Sequence, residues 1–194
     1  MYSNYIKRFF DVLLSIIALI LLSWLFIGIS IIIKITSKGA IFFLQKRVGR
    51  NKKIFYILKF RTMRFDTPKD IPTHLLKDPE QYITVIGKFL RRTSLDELPQ
   101  VINILKGDMS IVGPRPALWN QYDLIKERDR YRANDIRPGL TGWAQINGRD
   151  ELPIPVKAKL DGDYIKKISF LFDLNCIIKT VTCVIKKQGI KEGS

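Results

Sequence analysis

From Phe9 to Ile33 the chain is apolar except at Asp11, Ser15, Ser23, Gly28 and Ser30. The run is about 25 residues long, and about 20 suffice to cross a hydrocarbon core. A cleaved signal peptide would have an apolar region of only about 7–15 residues ending in a small-residue cleavage site, which is not evident here. The pattern therefore predicts a retained membrane anchor. Lys7 and Arg8 precede the run and Lys34 and Lys38 follow it, so the positive-inside rule draws both ends to the cytoplasm. Such symmetry suits a re-entrant helical hairpin, in which Ser23 would bond to a carbonyl one turn back. With no proline near Ser23, a plain span is the other topology that the pattern allows.

Beyond the anchor, 40–46 and 53–61 are β-branched and aromatic runs joined by the turn-like Val48-Gly49-Arg50-Asn51-Lys52, which predicts a β-hairpin. Strand periodicity puts Lys59 and Arg61 on one face, either a solvated basic face or a binding one. Prolines and scattered charge over 64–79 read as a loop. In 82–92 Ile83, Ile86, Phe89 and Leu90 recur at helical spacing, with Lys88 and Arg92 opposite. Ser94 with Glu97 three residues later matches a capping box, and the helix that follows runs through Val101, Ile102, Ile104 and Leu105 to a stop at Gly107.

The stretch 107–116 reads as a rigid loop in which Pro114 and Pro116 hold Arg115 extended, and 118–134 as a mostly exposed helix. The Gly-rich 135–149 permits close backbone approach to a ligand, with Arg137 and Arg149 suited to phosphate or a pyrimidine carbonyl. From Tyr164 to Lys187 apolar residues alternate with lysines at helical spacing, as in a core helix with a wet face or a helix lying in a lipid interface. The fold class is α+β and mainly helical: an anchoring segment over 1–38 and a catalytic or binding domain over 39–194.

At 194 residues there is room for one domain with a real core. Lys and Arg outnumber Asp and Glu by 33 to 18, a net charge of +15, so the partner should be anionic: nucleic acid, phospholipid headgroups or a phosphorylated small molecule. Cys176 and Cys183 are seven apart in a helical pattern, which disfavours a disulfide on one helix. The one histidine, His74, falls in the polar loop, and no Cys/His spacing suits a metal.

Against this cationic background Arg91-Arg92-Thr93-Ser94-Leu95-Asp96-Glu97-Leu98-Pro99-Gln100 places two adjacent carboxylates beside two arginines at what reads as a helix start. Neighbouring carboxylates on a helix point about 100° apart, a poor arrangement for the facing acid and base of a glycosidase. One nucleophile with one helper or metal ligand fits better. An aspartate kept ionised by a helix N-terminus and arginines can attack phosphorus to give an acyl phosphate. Attack on a diphosphate needs its charge neutralised, by arginines and a hard divalent cation, magnesium by default.

Taken together, Lys59-Phe60-Arg61-Thr62-Met63, the 94–100 motif, 106–116, 137–149 and Ser169-Phe170-Leu171-Phe172-Asp173 resemble the small monotopic polyprenyl-phosphate phosphoglycosyl transferases of the bacterial sugar transferase family. The resemblance covers nearly the whole chain. It implies an enzyme on the cytoplasmic face of the bacterial inner membrane, among its phospholipids, that moves a sugar 1-phosphate from a UDP-sugar to undecaprenyl phosphate and releases UMP. By the same resemblance Asp96 is the nucleophile and binds Mg2+, Glu97 is its catalytic partner, and a covalent phosphosugar–aspartyl intermediate makes the reaction ping-pong. It also implies phosphate or nucleotide contacts from Lys59, Arg61, Arg91, Arg115, Arg137, Gln145, Asn147 and Arg149, and a re-entrant hairpin marked by Lys7, Arg8 and Ser23.

Two positions depart from the family pattern: Ser23-Trp24 stands where Ser-Pro is usual, and Leu160-Asp161-Gly162-Asp163-Tyr164 lacks the usual aromatics after Asp161. A membrane-tethered nucleic-acid binder or a silent scaffold would account for the charge, but both leave the carboxylate pair unexplained. The reading therefore has no nucleic-acid partner.

Overall fold

A computed structural model describes residues 2–64, 66–67, 79–148 and 152–185. After one irregular helical turn, Tyr2–Ile6, the chain forms α1 (Lys7–Leu21) and α2 (Ser23–Thr36), bent by 62° at their junction. No single helix among the described residues is long and apolar enough to cross a membrane, although this bent pair passes by length and composition together. At the bend Ser23 Oγ donates to the Ile20 carbonyl at 2.9 Å, the hydrogen bond expected of it, with no proline needed.

The polar residues of α1 prove to be more than interruptions. Arg8, Asp11 and Ser15 share one helical face, and that face is turned inward. Asp11, only 4% exposed, accepts the Ile111 amide at 2.9 Å. Arg8 donates to the Ile104 and Leu105 carbonyls, and Lys7 pairs with Asp173 at 2.6 Å. The outward faces of α1 and α2 are apolar, with Phe9, Ile20, Leu21, Trp24, Ile27 and Ile35 all exposed.

The hairpin forms as expected: β1 (Phe42–Val48) pairs antiparallel with β2 (Ile54–Phe60), with Lys46 opposite Tyr56. Asn51 and Lys52 supply the positive φ angles of its turn. Phe60, Ile29 and Ile33 of α2 and Leu90 of α3 (Val85–Arg92) form one core cluster, so α2 packs as part of the folded unit. Full burial of each such side chain contributes about 1.5–3 kcal/mol. Most of the expected loop over 64–79, with His74, lies outside the described residues.

Past α4 (Gln100–Lys106) the structure departs from a simple loop reading. Within 107–116 lies β3 (Ser110–Val112), which pairs in parallel with β4 (Gly139–Thr141) from the Gly-rich stretch. A Cβ on Gly139 would come within 2.1 Å of the Gly113 nitrogen, so the close pairing needs glycine. The segment expected as an exposed helix over 118–134 is helical only as α5 (Tyr122–Asp129), and α5 buries Leu124 and Arg128. The single helix expected from Tyr164 onward is two: after α6 (Trp143–Ile146), α7 (Ile154–Lys167) ends at Ile168 and α8 (Phe170–Ile185) begins anew.

Tyr164, at the end of α7, donates to Asp173 Oδ1 of α8 at 2.8 Å, which ties the break together. Exposed on α8 are Leu171, Leu174, Ile178 and Val181, while Lys179 lies over the Trp143 ring at 5.0 Å. The face that α8 turns outward is thus largely apolar, and Lys179, itself exposed, reaches across to the Trp143 ring. Cys176 is buried and Cys183 half-buried, and both are free thiols.

Candidate active site

The carboxylate pair sits on a single tight turn, Leu95–Glu97, ahead of α4 and not at the N-terminus of an α-helix. Ser94 corrects the capping-box reading. Its backbone is left-handed (φ 56°) and its side chain caps nothing, while its amide bonds back to the Arg91 carbonyl at 3.1 Å. A left-handed residue just past a helix end is a stop signal, a place glycine usually takes. Ser94 therefore ends α3. The cap that is formed lies at the other end of α3, where Thr84 Oγ1 accepts the Gly87 amide at 3.0 Å.

The reversal at Ser94 turns Asp96 inward against three cations. Lys59, next to last in β2, donates from Nζ to Glu97 Oε1 at 2.6 Å. Arg115 donates from Nη2 to the same oxygen at 3.1 Å. Arg91 of α3 holds its Nε on Thr62 Oγ1 at 2.9 Å, and its charge acts on Asp96. The Thr62 carbonyl in turn accepts the Thr84 amide, and Gly87 lets α3 approach so closely that a Cβ there would meet that carbonyl at 2.0 Å. Arg91 is thus aimed by the packing of α3 on the end of β2.

The two carboxylates are electrostatically unequal. Burial works to raise the Glu97 carboxyl, but the Arg115 guanidinium and the Lys59 ammonium outweigh it and hold Glu97 well below the usual carboxylate range. Burial and the neighbouring Glu97 charge instead push Asp96 above its ordinary value, against the pull of Lys59, Arg91 and Arg115. Asp96 is 8% exposed, and among the described residues no side-chain hydrogen bond reaches its carboxylate. One acid is clamped and its neighbour is unclamped. An unclamped carboxylate amid cations can attack an electrophilic phosphorus, or take a hard metal ion, whose ligands are oxygens.

The other sequence-expected residues are engaged elsewhere. Arg61 donates to the Ser37 carbonyl and hydroxyl just past α2, on a different path from Lys59. Arg137 donates to the Gly107 carbonyl, and its charged neighbours are Arg8, Arg50 and Asp11. Gln145 bonds to the Leu140 carbonyl and Asn147 to that of Trp143, both within their own segment. Arg149 lies outside the described residues. Residues that sequence reasoning passed over are Thr62, which seats Arg91, and the buried pair Arg128–Asp161 behind Arg115.

The chain matches the family model described as bacterial sugar transferase over residues 2–187. It is 38% identical to the exopolysaccharide production protein ExoY of Sinorhizobium fredii, over 94% of this chain and 87% of that protein. It is likewise 38% identical to the uncharacterized sugar transferase EpsL of Bacillus subtilis, over 96% of this chain and 91% of that one. A longer relative, the UDP-glucose:undecaprenyl-phosphate glucose-1-phosphate transferase of Escherichia coli, is 40% identical over 91% of this chain and 39% of its own length. All three alignments span most of the chain, so the likeness is to the whole fold and not to a single motif.

Proposed function

The chain belongs to the bacterial sugar transferase family, and we propose that it transfers a sugar 1-phosphate from a UDP-sugar to undecaprenyl phosphate, releasing UMP and starting a lipid-linked glycan. The observation that carries this reading is the unclamped Asp96 carboxylate facing Lys59, Arg91 and Arg115. An Asp96 oxygen attacks the phosphorus bearing the sugar, and the bond from that phosphorus to the oxygen bridging to the uridine-side phosphate breaks. UMP leaves with the electron pair, and the phosphosugar stays on Asp96. An oxygen of the lipid phosphate then attacks the same phosphorus, and the Asp96 carboxylate leaves as it began. Arg91 and Arg115 stabilise charge on the transferring group, and Glu97, fixed by Lys59, keeps Arg115 oriented.

Mg2+ fits the hard oxygen donors at Asp96. Among the described residues no cluster of three or more His, Cys, Asp or Glu could hold a metal. The ion would therefore take Asp96 and complete its shell with phosphate oxygens and water. When bound it neutralises diphosphate charge during transfer.

The bent pair α1–α2 fits a re-entrant anchor in the inner membrane, with both ends and the active site on the cytoplasmic side. Its apolar outer faces meet lipid while Lys7, Arg8 and Asp11 hold the protein. Anchor (1–38) and catalytic domain (39–194) then act as one packed unit. A cysteine placed at Asn4 should react only with a cytoplasmic-side reagent, and periplasmic labelling would overturn the hairpin.

The function is tested with the full chain in detergent, Mg2+, undecaprenyl phosphate and a panel of UDP-sugars scored for UMP. Release with one or more of them is expected, and Asp96→Asn should lower it by about 10³-fold or more. With a sugar-labelled donor and no lipid acceptor, label should remain on the wild-type protein and be absent from Asp96→Asn. No release from any donor would sink the activity, and release without protein-bound label would sink the covalent step.

A further inference from the structure

The segment Pro114-Arg115-Pro116 is fixed through three successive carbonyls, each from a different direction. Pro114 O accepts the Gly139 amide of β4 at 2.8 Å, and Pro116 O accepts Nη1 of Arg47 on β1 at 3.0 Å. Arg115 O accepts Nη1 of Arg128 at 2.9 Å. That last donor is itself locked. Arg128, on α5 and 3% exposed, gives Nε to Asp161 Oδ2 of α7 at 2.7 Å, with Nη2 2.6 Å from the same oxygen.

Joining α5 to α7 does not require charge. Burying two ions costs desolvation that their pairing only offsets, and apolar residues of similar volume often serve as well or better. What apolar residues lack is a donor for the Arg115 carbonyl. Lysine would not replace Arg128 either, because the guanidinium fork presents fixed donors to Asp161 and to the carbonyl at once. The Arg115 side chain beyond this anchor is 36% exposed, so its aim toward Glu97 depends on where its backbone is held.

We propose that Arg128, locked by Asp161, is a positioning residue for phosphate transfer: it holds the Arg115 carbonyl and so aims the Arg115 guanidinium at the reacting phosphate. The inference rests on the reading of Arg115 as a phosphate-binding group.

The test is a double-mutant cycle on UMP release by the full chain. Its members are wild type, Arg115→Ala, the charge-free pair Arg128→Met with Asp161→Asn, and all three substitutions together. Arg128→Lys is run beside them, since it keeps a cation against Asp161 for folding but loses the fork. Thermal unfolding reports the folded fraction of each, and rates are taken per folded molecule.

Turnover should fall about 10- to 100-fold in the charge-free pair and in Arg128→Lys, as expected when a catalytic group is misplaced by about 1 Å. On the Arg115→Ala background the same changes should alter turnover by less than about twofold, because their route of action is already gone. Equal losses on both backgrounds would make Arg128 merely structural and overturn the proposal, as would unchanged turnover in the Arg128 variants. If Arg115→Ala alone left turnover unchanged, the reading of Arg115 itself would fall, and this inference with it.

Discussion

The turn at Ser94–Glu97 and the helix α1 both hold polar side chains where their surroundings offer little water, and they treat them oppositely. On α1, Lys7, Arg8 and Asp11 each end on a protein group: Asp173, the α4 carbonyls and the Ile111 amide. On the turn, Glu97 is bonded to two cations while Asp96, beside it, has no hydrogen bond from the described residues. A buried polar group whose bonding is complete anchors the fold. A neighbour left incomplete, at the edge of solvent and amid charge, is available for chemistry.

Turning Glu97 from anchor into bystander tests this contrast most severely. Glu97→Gln leaves Lys59 and Arg115 facing a neutral amide, so Arg115 loses its orientation, and turnover per folded molecule should fall about 10- to 100-fold. UMP release measures it; a loss under tenfold would mean that Glu97 is a structural counter-ion only. The same variant has a pH signature. A carboxyl whose folded value lies below its unfolded value of about 4.3 stabilises the fold above that pH and loses the effect as pH falls through the folded value. Asp96, raised in the fold, has the opposite sign: it favours folding below its unfolded value and loses that favour as pH rises. Glu97→Gln removes the Glu97 contribution and relieves Asp96 of a like charge, so the acid side of a stability curve should flatten. An unchanged acid slope would count against the clamp.

A smaller effect, on stability and not on chemistry, is expected on α1. Asp11→Ala strands the Ile111 amide, and a buried unsatisfied donor costs about 1–3 kcal/mol. Chemical unfolding should register this while turnover per folded molecule stays near wild type. Loss of turnover without loss of stability would place α1 in the reaction and erase the distinction between the two regions.

Local pattern made the hairpin and the carboxylate pair legible, because strand alternation and a rare Asp-Glu pair among cations can be read directly from the chain; the pairing of Lys59 with Glu97, 38 positions on, has no such local sign. Arg91 and Arg115 are expected to contact phosphate, but the Thr62 contact that seats one and the three carbonyl bonds that fix the other have no local signature. The Arg128–Asp161 pair joins positions 33 apart and has no local signature; in sequence Arg128 is one more charge on a charged helix. β3 and β4 are three residues each, too short for any alternation to show. The inward face of α1 escaped notice because one Asp and one Ser in a long apolar run read as interruptions until their helical register is matched to a partner surface.

The finest test separates two caps that the sequence does not distinguish. Ser94 with Glu97 has capping-box spacing, yet the left-handed Ser94 backbone keeps its hydroxyl from capping and makes it the stop of α3. Thr84 caps α3 at its other end. Thr84→Ala should therefore cost about 1 kcal/mol. Ser94→Ala should change stability by less than about 0.5 kcal/mol, as at a site with no side-chain bond to lose. Ser94→Gly should raise stability, since relieving the left-handed backbone is worth about 1–2 kcal/mol and the greater freedom of the unfolded chain takes back about 0.4–1 kcal/mol. Denaturant midpoints of the three variants decide it. If Ser94→Ala cost as much as Thr84→Ala, the Ser94 hydroxyl would be a cap after all, and the turn that holds Asp96 would belong to α4 rather than to the end of α3.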